Sequence, residues 1–470
     1  MGTVTDSGSH ISSTAGAGRA RYDPSSQPLR VLVTGGLGFV GSAIVRALQE
    51  QHADWLVWIL DKHEDPMQGK GRANRNEDDD LNLLKNCMYD YVQADVTDEG
   101  QVYEALNLVR PDVVVHTAGV VPPLSERYAR RLEAFVRHIN VDGTRHMVES
   151  ARSTGCKALV YTSTCCVVTD DMSQSYPNID ERWPVARRSS IYGESKAEAE
   201  RIVIAANDMS TAGSWTGDRD VNNVDPKGVD DHPPNGMLTC VLRPSVIFGE
   251  GDNQLVPSVH TCIAKGETRY RLGDGRNLWD VSYVGNVADA HVLAVENLLS
   301  SQARRHNGVS NVDESGKGAE TAAGETFFIQ NNEPISFREF SLAIWKEFRH
   351  YPPVWEIPIP ESLGWVLGLL AEGWTRISGT PATLSRGSVM DACAMRYASG
   401  DKAQRVLHYH PRVGLEDGIR RSCQVSERSS PIQSRPIVQT GGVVAVSRRL
   451  GRELVPVLKD ATSIRIMHDG

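Results

Sequence analysis

The run Arg30 to Asp61, RVLVTGGLGFVGSAIVRALQEQHADWLVWILD, constrains the fold of this chain more than any other stretch. Leu29 to Thr34 is too short and too apolar for a surface helix and stops at Gly35, so it reads as a buried strand. Gly35, Gly38 and Gly41 follow, each three residues after the last, and the helix they open carries Val40, Ile44, Val45 and Leu48 on one side. A second apolar run closes on Asp61, about 20 residues beyond Gly41. A strand, a glycine loop, a helix and a strand ending in a carboxylate make one dinucleotide-binding βαβ unit. The glycines let the backbone turn sharply and approach a pyrophosphate closely, and the helix start offers the unpaired amides of Phe39, Val40 and Gly41 with a partial positive charge. Asp61 can accept hydrogen bonds from both ribose hydroxyls and would repel a 2′-phosphate, so NAD is expected ahead of NADP; Lys62 beside it weakens that preference.

The pattern continues as a doubly wound α/β sheet. Tyr89 to Gln93 reads as a third strand, followed by Asp95 and Val96 and a capped helix start at Thr97, Asp98 and Glu99. Asp95 is either a contact for the adenine ring or simply the carboxylate that opens the helix. Val113 to Val115 is a fourth strand, ending in His116, Thr117, Ala118 and Gly119, where small residues would let a cofactor lie close to the backbone; His116 reads as a structural histidine. A helix over Leu132 to Ser153 holds Asn140 in its middle, where helix propensity gives no reason for it and a solvent-facing position is the plain reading. The fifth strand, Ala158 to Ser163, places the hydroxyls of Ser163 and Thr164 at a strand's C-terminal end, where such sheets bind ligands. In the next helix, Ile191 to Ala206, Tyr192 and Lys196 share a face. Of 13 tyrosines, this is the only one with a lysine four residues on. An ammonium beside a phenol favours the phenolate and makes tyrosine a usable general base.

These elements predict a Rossmann-type parallel sheet over 29–250, with a polar insertion at 207–236, and a smaller substrate-binding part over 251–422, with an insertion at 300–325. Leu238 to Arg243 is a further strand ended by Pro244, and Arg243 is either a brace for the site or half of a surface ion pair. Residues 1–28 read as a disordered leader, in which Asp6 argues against myristoylation of Gly2, and 62–86 as a solvated charged loop. The net charge of −9 offers no basic surface for nucleic acid. Eight cysteines lack any CxxC, and Cys165 and Cys166 adjoin inside an apparent strand, so no disulfide framework or metal site is indicated and a reducing compartment fits. Ser362 to Trp374 is apolar nearly all round but too short to span a bilayer; it is either a buried core helix or a monotopic insertion. The segment 423–470 receives no role.

TGGLGFVG at 34–41, HTAG at 116–119, NVDGT at 140–144, VYTST at 160–164, YGESK at 192–196 and LRPSVIFGEGD at 242–252 resemble the extended short-chain dehydrogenases. With WDVSYVGNVADAHVLA at 279–294 and FFIQNNEPISFREFSLAIW at 327–345, the chain resembles their 3β-hydroxysteroid dehydrogenase branch, and within it the decarboxylating enzymes of 4α-carboxysterols. The resemblance covers about residues 29–422. It implies that Tyr192 is the general base, Lys196 its activator and a ribose contact, and Asn140 the holder of a proton-relay water. Thr164 stands where the family usually has the serine that orients the substrate oxygen, with Ser163 as the second choice. The implied activity is NAD-dependent oxidation of the 3β-hydroxyl of a sterol or terpenoid to a ketone, with loss of CO2 where a neighbouring carboxylate is present. The implied location is intracellular, in the cytosol or on the cytoplasmic side of the endoplasmic reticulum membrane, and the resemblance admits peripheral membrane association and a homodimer. Three alternatives stand beside it: a dehydrogenase of specialised metabolism, a nucleotide-sugar epimerase or dehydratase, and a noncatalytic NAD sensor. An epimerase would be expected to carry cations for a diphosphate near 242–252. Thr164 favours a sensor, and the retained Tyr192 and Lys196 oppose it.

Overall fold

A computed structural model describes residues 28–65, 84, 86–128, 130–170, 174–186, 190–209, 236–306, 320–378 and 384–429. The glycine-loop unit folds as β1 (Arg30–Thr34), α1 (Phe39–Gln51) and β2 (Leu56–Asp61), with β1 and β2 parallel and Val31 opposite Val57. β3 (Asp90–Gln93) follows, then α2 (Glu99–Val109), whose N-cap Asp98 accepts from the Gln101 amide, then β4 (Val113–His116) and β5 (Ala158–Thr162). With the strands Leu238–Pro244 and Thr326–Ile329 they form a parallel seven-stranded sheet. Its order from one edge is Thr326–Ile329, Leu238–Pro244, β5, β4, β1, β2, β3. The chain runs outward from β1 to β3 and then returns to lay β4 on the other side of β1. That reversal opens a crevice at the C-terminal ends of β1 and β4.

Both faces of the sheet are covered, which is why its strands are apolar without alternation. On β1, Val31 and Val33 face the side of Ile44, Val45 and Leu48 of α1 and of the helix Val284–His306. Leu32 faces the other side, against Leu106 and Met147. Each such fully buried aliphatic side chain contributes about 1.5–3 kcal/mol.

The division at residue 250 does not survive in space. Tyr176–Ile179, from the first half, leaves the large sheet for a small mixed one with Ile335–Ser336, Leu278–Trp279 and Arg396–Ala398. Thr326–Ile329 and the helix Val284–His306, from the second half, return to the large one. An edge at Leu238–Pro244 would leave a ladder of unpaired backbone groups, and the later strand closes it.

Cys165 and Cys166 are not in a strand: β5 ends at Thr162, and Cys166 opens the short helix Cys166–Thr169. Ser362 to Trp374 lies within the helix Glu361–Ser378, and its large apolar side chains are exposed, so the core-helix reading is wrong. The leader with Gly2, most of the 62–86 loop, most of the insertion at 207–236, residues 307–319 of the insertion at 300–325, and the segment from 430 onward lie outside the described residues.

Candidate active site

The glycine loop forms a cradle that fits a dinucleotide. Gly35 sits at φ 66°, and a Cβ there would come 3.0 Å from Ala118 Cα, so the loop and the end of β4 touch. A Cβ at Gly41 would come 2.2 Å from the Gly35 carbonyl oxygen, which glycine alone avoids. Gly38 is the N-cap of α1 and supplies no side chain to bond its first amides, leaving Phe39 and Val40 at an uncapped positive helix end. Asp61 is buried at the tip of β2; its carboxylate accepts from the Leu37 amide at 3.3 Å and the His63 amide at 3.1 Å, which ties it to the loop. These residues can hold a dinucleotide's pyrophosphate and ribose. Asp95 accepts from the amide and hydroxyl of Thr97, at 2.9 and 2.8 Å, so it orders the turn into α2; Val96 is buried, and its carbonyl receives the His146 ring nitrogen at 3.0 Å.

His116 is a strut. Thr144 Oγ1 donates to the Asn140 carbonyl, so it accepts from His116 Nε2–H at 3.1 Å. Thr34 Oγ1 already accepts from the Thr117 and Ala118 amides and donates to His116 Nδ1 at 2.7 Å. Burial pulls the imidazole down to about 3, so it stays neutral. Thr117 donates its hydroxyl to the Thr34 carbonyl. The histidine thus joins β1, β4 and the Asn140 segment.

Asn140 does not face solvent. The long helix is interrupted by a π-turn, His138–Asp142, between the α-helical Glu133–Arg137 and Gly143–Ser153. This turn directs Asn140 fully inward, as π-bulges often do at functional sites. Its Oδ1 accepts from the Val120 amide at 2.8 Å, and its Nδ2 donates to the Val120 carbonyl and to Ser195 Oγ. Gly119 leaves room here: a Cβ would come 3.1 Å from Asn140 Oδ1 and 3.2 Å from Lys196 Nζ.

Tyr192 and Lys196 are both buried on the helix Ile191–Ala205, whose N-cap Ser190 accepts from the Gly193 amide and donates to the buried Asp170. Of the two hydroxyls, Thr164 is the one that acts on the Tyr192 phenol, favouring its ionised form, whereas Ser163 Oγ is buried with no hydrogen-bond partner among the described residues. Burial raises the Tyr192 phenol well above its usual range, against opposing effects of Arg127 and the Thr164 hydrogen bond. Lys196 acts elsewhere: its ammonium donates to the Thr162 carbonyl at 2.9 Å and stands 4.8 Å from the Tyr161 ring centre, and burial pulls it down to about 8. Helical spacing put both residues on one face, and the lysine's ammonium is anchored on the backbone of β5.

Arg243 is not on the surface. Its guanidinium forms a bidentate pair with Glu200, at 2.8 and 2.7 Å, with both side chains buried. The sequence reading missed Ser195 and Arg127. The first lay inside the YGESK motif and could have been drawn from it. Arg127 lies in a segment with no periodicity; its guanidinium carbon stands 5.7 Å from the Tyr192 ring centre. An open cleft of ≈ 550 Å³ lies away from these groups, lined by charged residues including Arg130, Arg137, Asp142 and Glu198, and no chemistry is assigned to it.

The NAD dependent epimerase/dehydratase family matches residues 31–309. The sterol-4-alpha-carboxylate 3-dehydrogenase, decarboxylating, of Schizosaccharomyces pombe is 32% identical over 396 residues, covering 84% of this chain and 97% of that protein. The enzyme of that name from Saccharomyces cerevisiae is 30% identical over 393 residues, covering 83% and 96%. A solved UDP-glucose-4-epimerase from Stenotrophomonas maltophila with bound NAD shares the fold at a TM-score of 0.56 and 17% identity, covering 85% of this chain and 98% of that one.

Proposed function

The chain belongs to the NAD dependent epimerase/dehydratase family, and on that footing we propose that it oxidises the 3β-hydroxyl of a 4α-carboxysterol to a ketone with NAD, after which the carboxyl group leaves as CO2. One observation separates this from a nucleotide-sugar reading. The segment 242–252 offers no cation for a diphosphate, because its single arginine, Arg243, is closed in the pair with Glu200. The similarity to the two yeast enzymes over nearly their whole length supports the substrate class.

NAD, when bound, supplies the hydride acceptor and a positive ring charge. Tyr192 takes the proton of the substrate hydroxyl as a phenolate, its own proton having first passed to solvent; the positive charge of Arg127, and that of the nicotinamide ring, would favour this form, and Thr164 holds the substrate oxygen. Lys196, anchored on Thr162, would meet the ribose of the bound dinucleotide, and Asp61 beside the glycine loop supports NAD ahead of NADP. Oxidation turns the neighbouring carboxylate into a β-keto acid. Its C–C bond breaks, the electron pair passes into the enolate of the new ketone, and the carbon is then protonated, so no metal is required. Arg127 is the group suited to the carboxylate. It stands over the Tyr192 ring, 5.7 Å from the ring centre, and its charge acts on both the Tyr192 phenol and the buried Asp170.

The test offers purified protein NAD or NADP with a 4-carboxy-3β-hydroxysterol, a plain 3β-hydroxysteroid or a UDP-sugar, and follows reduced cofactor and CO2. NADH and CO2 from the first substrate alone establish the reading, and Arg127→Gln should then lower kcat/KM about 10- to 100-fold for that substrate. NADH from the plain steroid without preference for the carboxylated one moves the chain to a dehydrogenase of another 3β-alcohol. Turnover of the UDP-sugar alone overturns both.

A further inference from the structure

Asp170 and Ser190 meet where the chain leaves the large sheet for the small one and where it returns. After β5, Thr164 Oγ1 accepts from the Cys166 amide at 3.2 Å, the short helix Cys166–Thr169 follows, and Asp170 is its C-cap. The chain then departs to the small mixed sheet, where Tyr176 lies opposite Arg396. It comes back at Ser190, the N-cap of the helix Ile191–Ala205. Ser190 Oγ donates to Asp170 Oδ2, so one hydrogen bond closes the base of the excursion. Both residues are buried, and the two helices they end pack against each other.

The same hydroxyl has a second duty. Ser190 Oγ accepts from the amide of Gly193, the residue after Tyr192, at 3.0 Å. A cap works only while its oxygen faces the first turn, and a serine side chain left alone can rotate among staggered positions. Donation to a carboxylate is stronger than a neutral hydrogen bond and holds the hydroxyl in one of them. Asp170 thereby fixes the start of the helix from whose first turn the Tyr192 phenol projects. The segment that ends in Asp170 begins next to Thr164, which acts on that phenol. Burial raises the Asp170 pKa, while the charges of Arg127 and Arg396 and the bond from Ser190 favour its carboxylate.

We propose that Asp170 is a positioning residue for Tyr192: through Ser190 it fixes the first turn of the Tyr192 helix relative to the Thr164 segment, so that phenol and hydroxyl converge on one substrate oxygen. This rests on the roles given to Tyr192 and Thr164 in the proposed reaction. A cap that served stability alone would have no effect on where the phenol stands.

The experiment puts 3-fluorotyrosine in place of Tyr192 in the full chain and reads its fluorine resonance, beside kcat, KM and NAD affinity by calorimetry. Wild type should give a single line. Asp170→Ala should broaden or split it and lower kcat about 10- to 100-fold, since a misplacement of about 1 Å costs that much, while the Kd for NAD, held at the glycine loop, stays within about twofold. Asp170→Asn, whose amide oxygen can still accept from Ser190, should restore the single line and most of kcat. Ser190→Gly removes the same bond at little cost to the cap, so it should reproduce Asp170→Ala and serves in its place if that variant does not fold. The double variant should be no slower than the worse single one, because both remove one link.

An unchanged single line in Asp170→Ala or, where that does not fold, in Ser190→Gly overturns the proposal. So does wild-type kcat with a lowered thermal midpoint, which leaves Asp170 a stabilising cap, and so does loss of NAD binding in step with kcat. The fluorine readout needs no substrate. If wild type oxidises no 3β-alcohol while the line still splits in the variants, the reaction fails and the positioning of the tyrosine stands.

Discussion

Asn140 Nδ2 donates to Ser195 Oγ at 3.0 Å, and Ser195 donates in turn to the Tyr192 carbonyl at 2.8 Å. The π-turn and the Tyr192 helix are therefore joined by one hydrogen bond inside the protein, and a second, within the helix, carries the link on to the Tyr192 backbone. Asn140→Ala would strand the Val120 amide and carbonyl and remove the donor to Ser195. Unsatisfied buried groups cost about 1–3 kcal/mol each. A fall of about 2–4 kcal/mol in unfolding free energy, with reduced kcat, is expected from denaturant titration and turnover; a variant as stable as wild type would show that water replaces the amide at no cost.

Thr164 and Ser163 can be separated. Thr164 acts on the Tyr192 phenol, whereas Ser163 Oγ has no hydrogen-bond partner among the described residues. Thr164→Val should lower kcat by about 100-fold, Thr164→Ser should keep most of it, and Ser163→Ala should leave turnover near wild type. The reverse order would make Ser163 the residue that orients the substrate.

Lys196 makes stability depend on pH in a defined direction. Its folded value is lowered by burial to about 8, from 10.5. Between these values the unfolded chain binds the proton more tightly, so folding gains stability as pH rises from about 8 to 10.5 and gains nothing further above. The difference in unfolding free energy between wild type and Lys196→Met should shift toward wild type across that window. A flat difference would mean that the ammonium is solvated in the folded protein.

The buried imidazoles act at the acid end. His116 is pulled down to about 3, and His291, which accepts from Thr162 Oγ1 and donates to the Val287 carbonyl, to about 4, against 6.5 for both when unfolded. Stability should fall as pH drops below 6.5, because the unfolded chain takes protons the folded one refuses. His291→Gln should reduce that slope in acid titrations followed by tryptophan fluorescence.

Gly41→Ala tests the cradle. Its Cβ would meet the Gly35 carbonyl oxygen at 2.2 Å, so the loop must move. Loss of NAD binding by calorimetry is expected, with the fold retained by circular dichroism. Unchanged affinity would mean that the pyrophosphate lies elsewhere.

The βαβ unit was legible because its signals are local: glycine spacing, a short apolar strand and a carboxylate at a strand end all lie within Arg30–Asp61. The succession of strands and helices along the chain and the positions of Tyr192 and Lys196 on one helix followed from the same short-range periodicities. The smaller part was less legible. Tyr176–Ile179 pairs with Arg396–Ala398, and Thr326–Ile329 completes the large sheet, through contacts between segments far apart in the chain. Asn140 looked like a solvated helix residue because a π-turn leaves no mark in a pattern of 3.6 residues per turn.

The sequence by itself determined that this chain builds a dinucleotide cradle and sets a tyrosine and a lysine on one helix, since glycine sterics and helical period act between near neighbours. Only the tertiary structure decided where the lysine's charge goes, which hydroxyl meets the phenol, that Arg243 is sealed against Glu200, and that the apolar helix turns its large side chains outward. Those outcomes depend on burial and on partners brought together by packing, and the free energy of a charge or an apolar surface is set by what surrounds it.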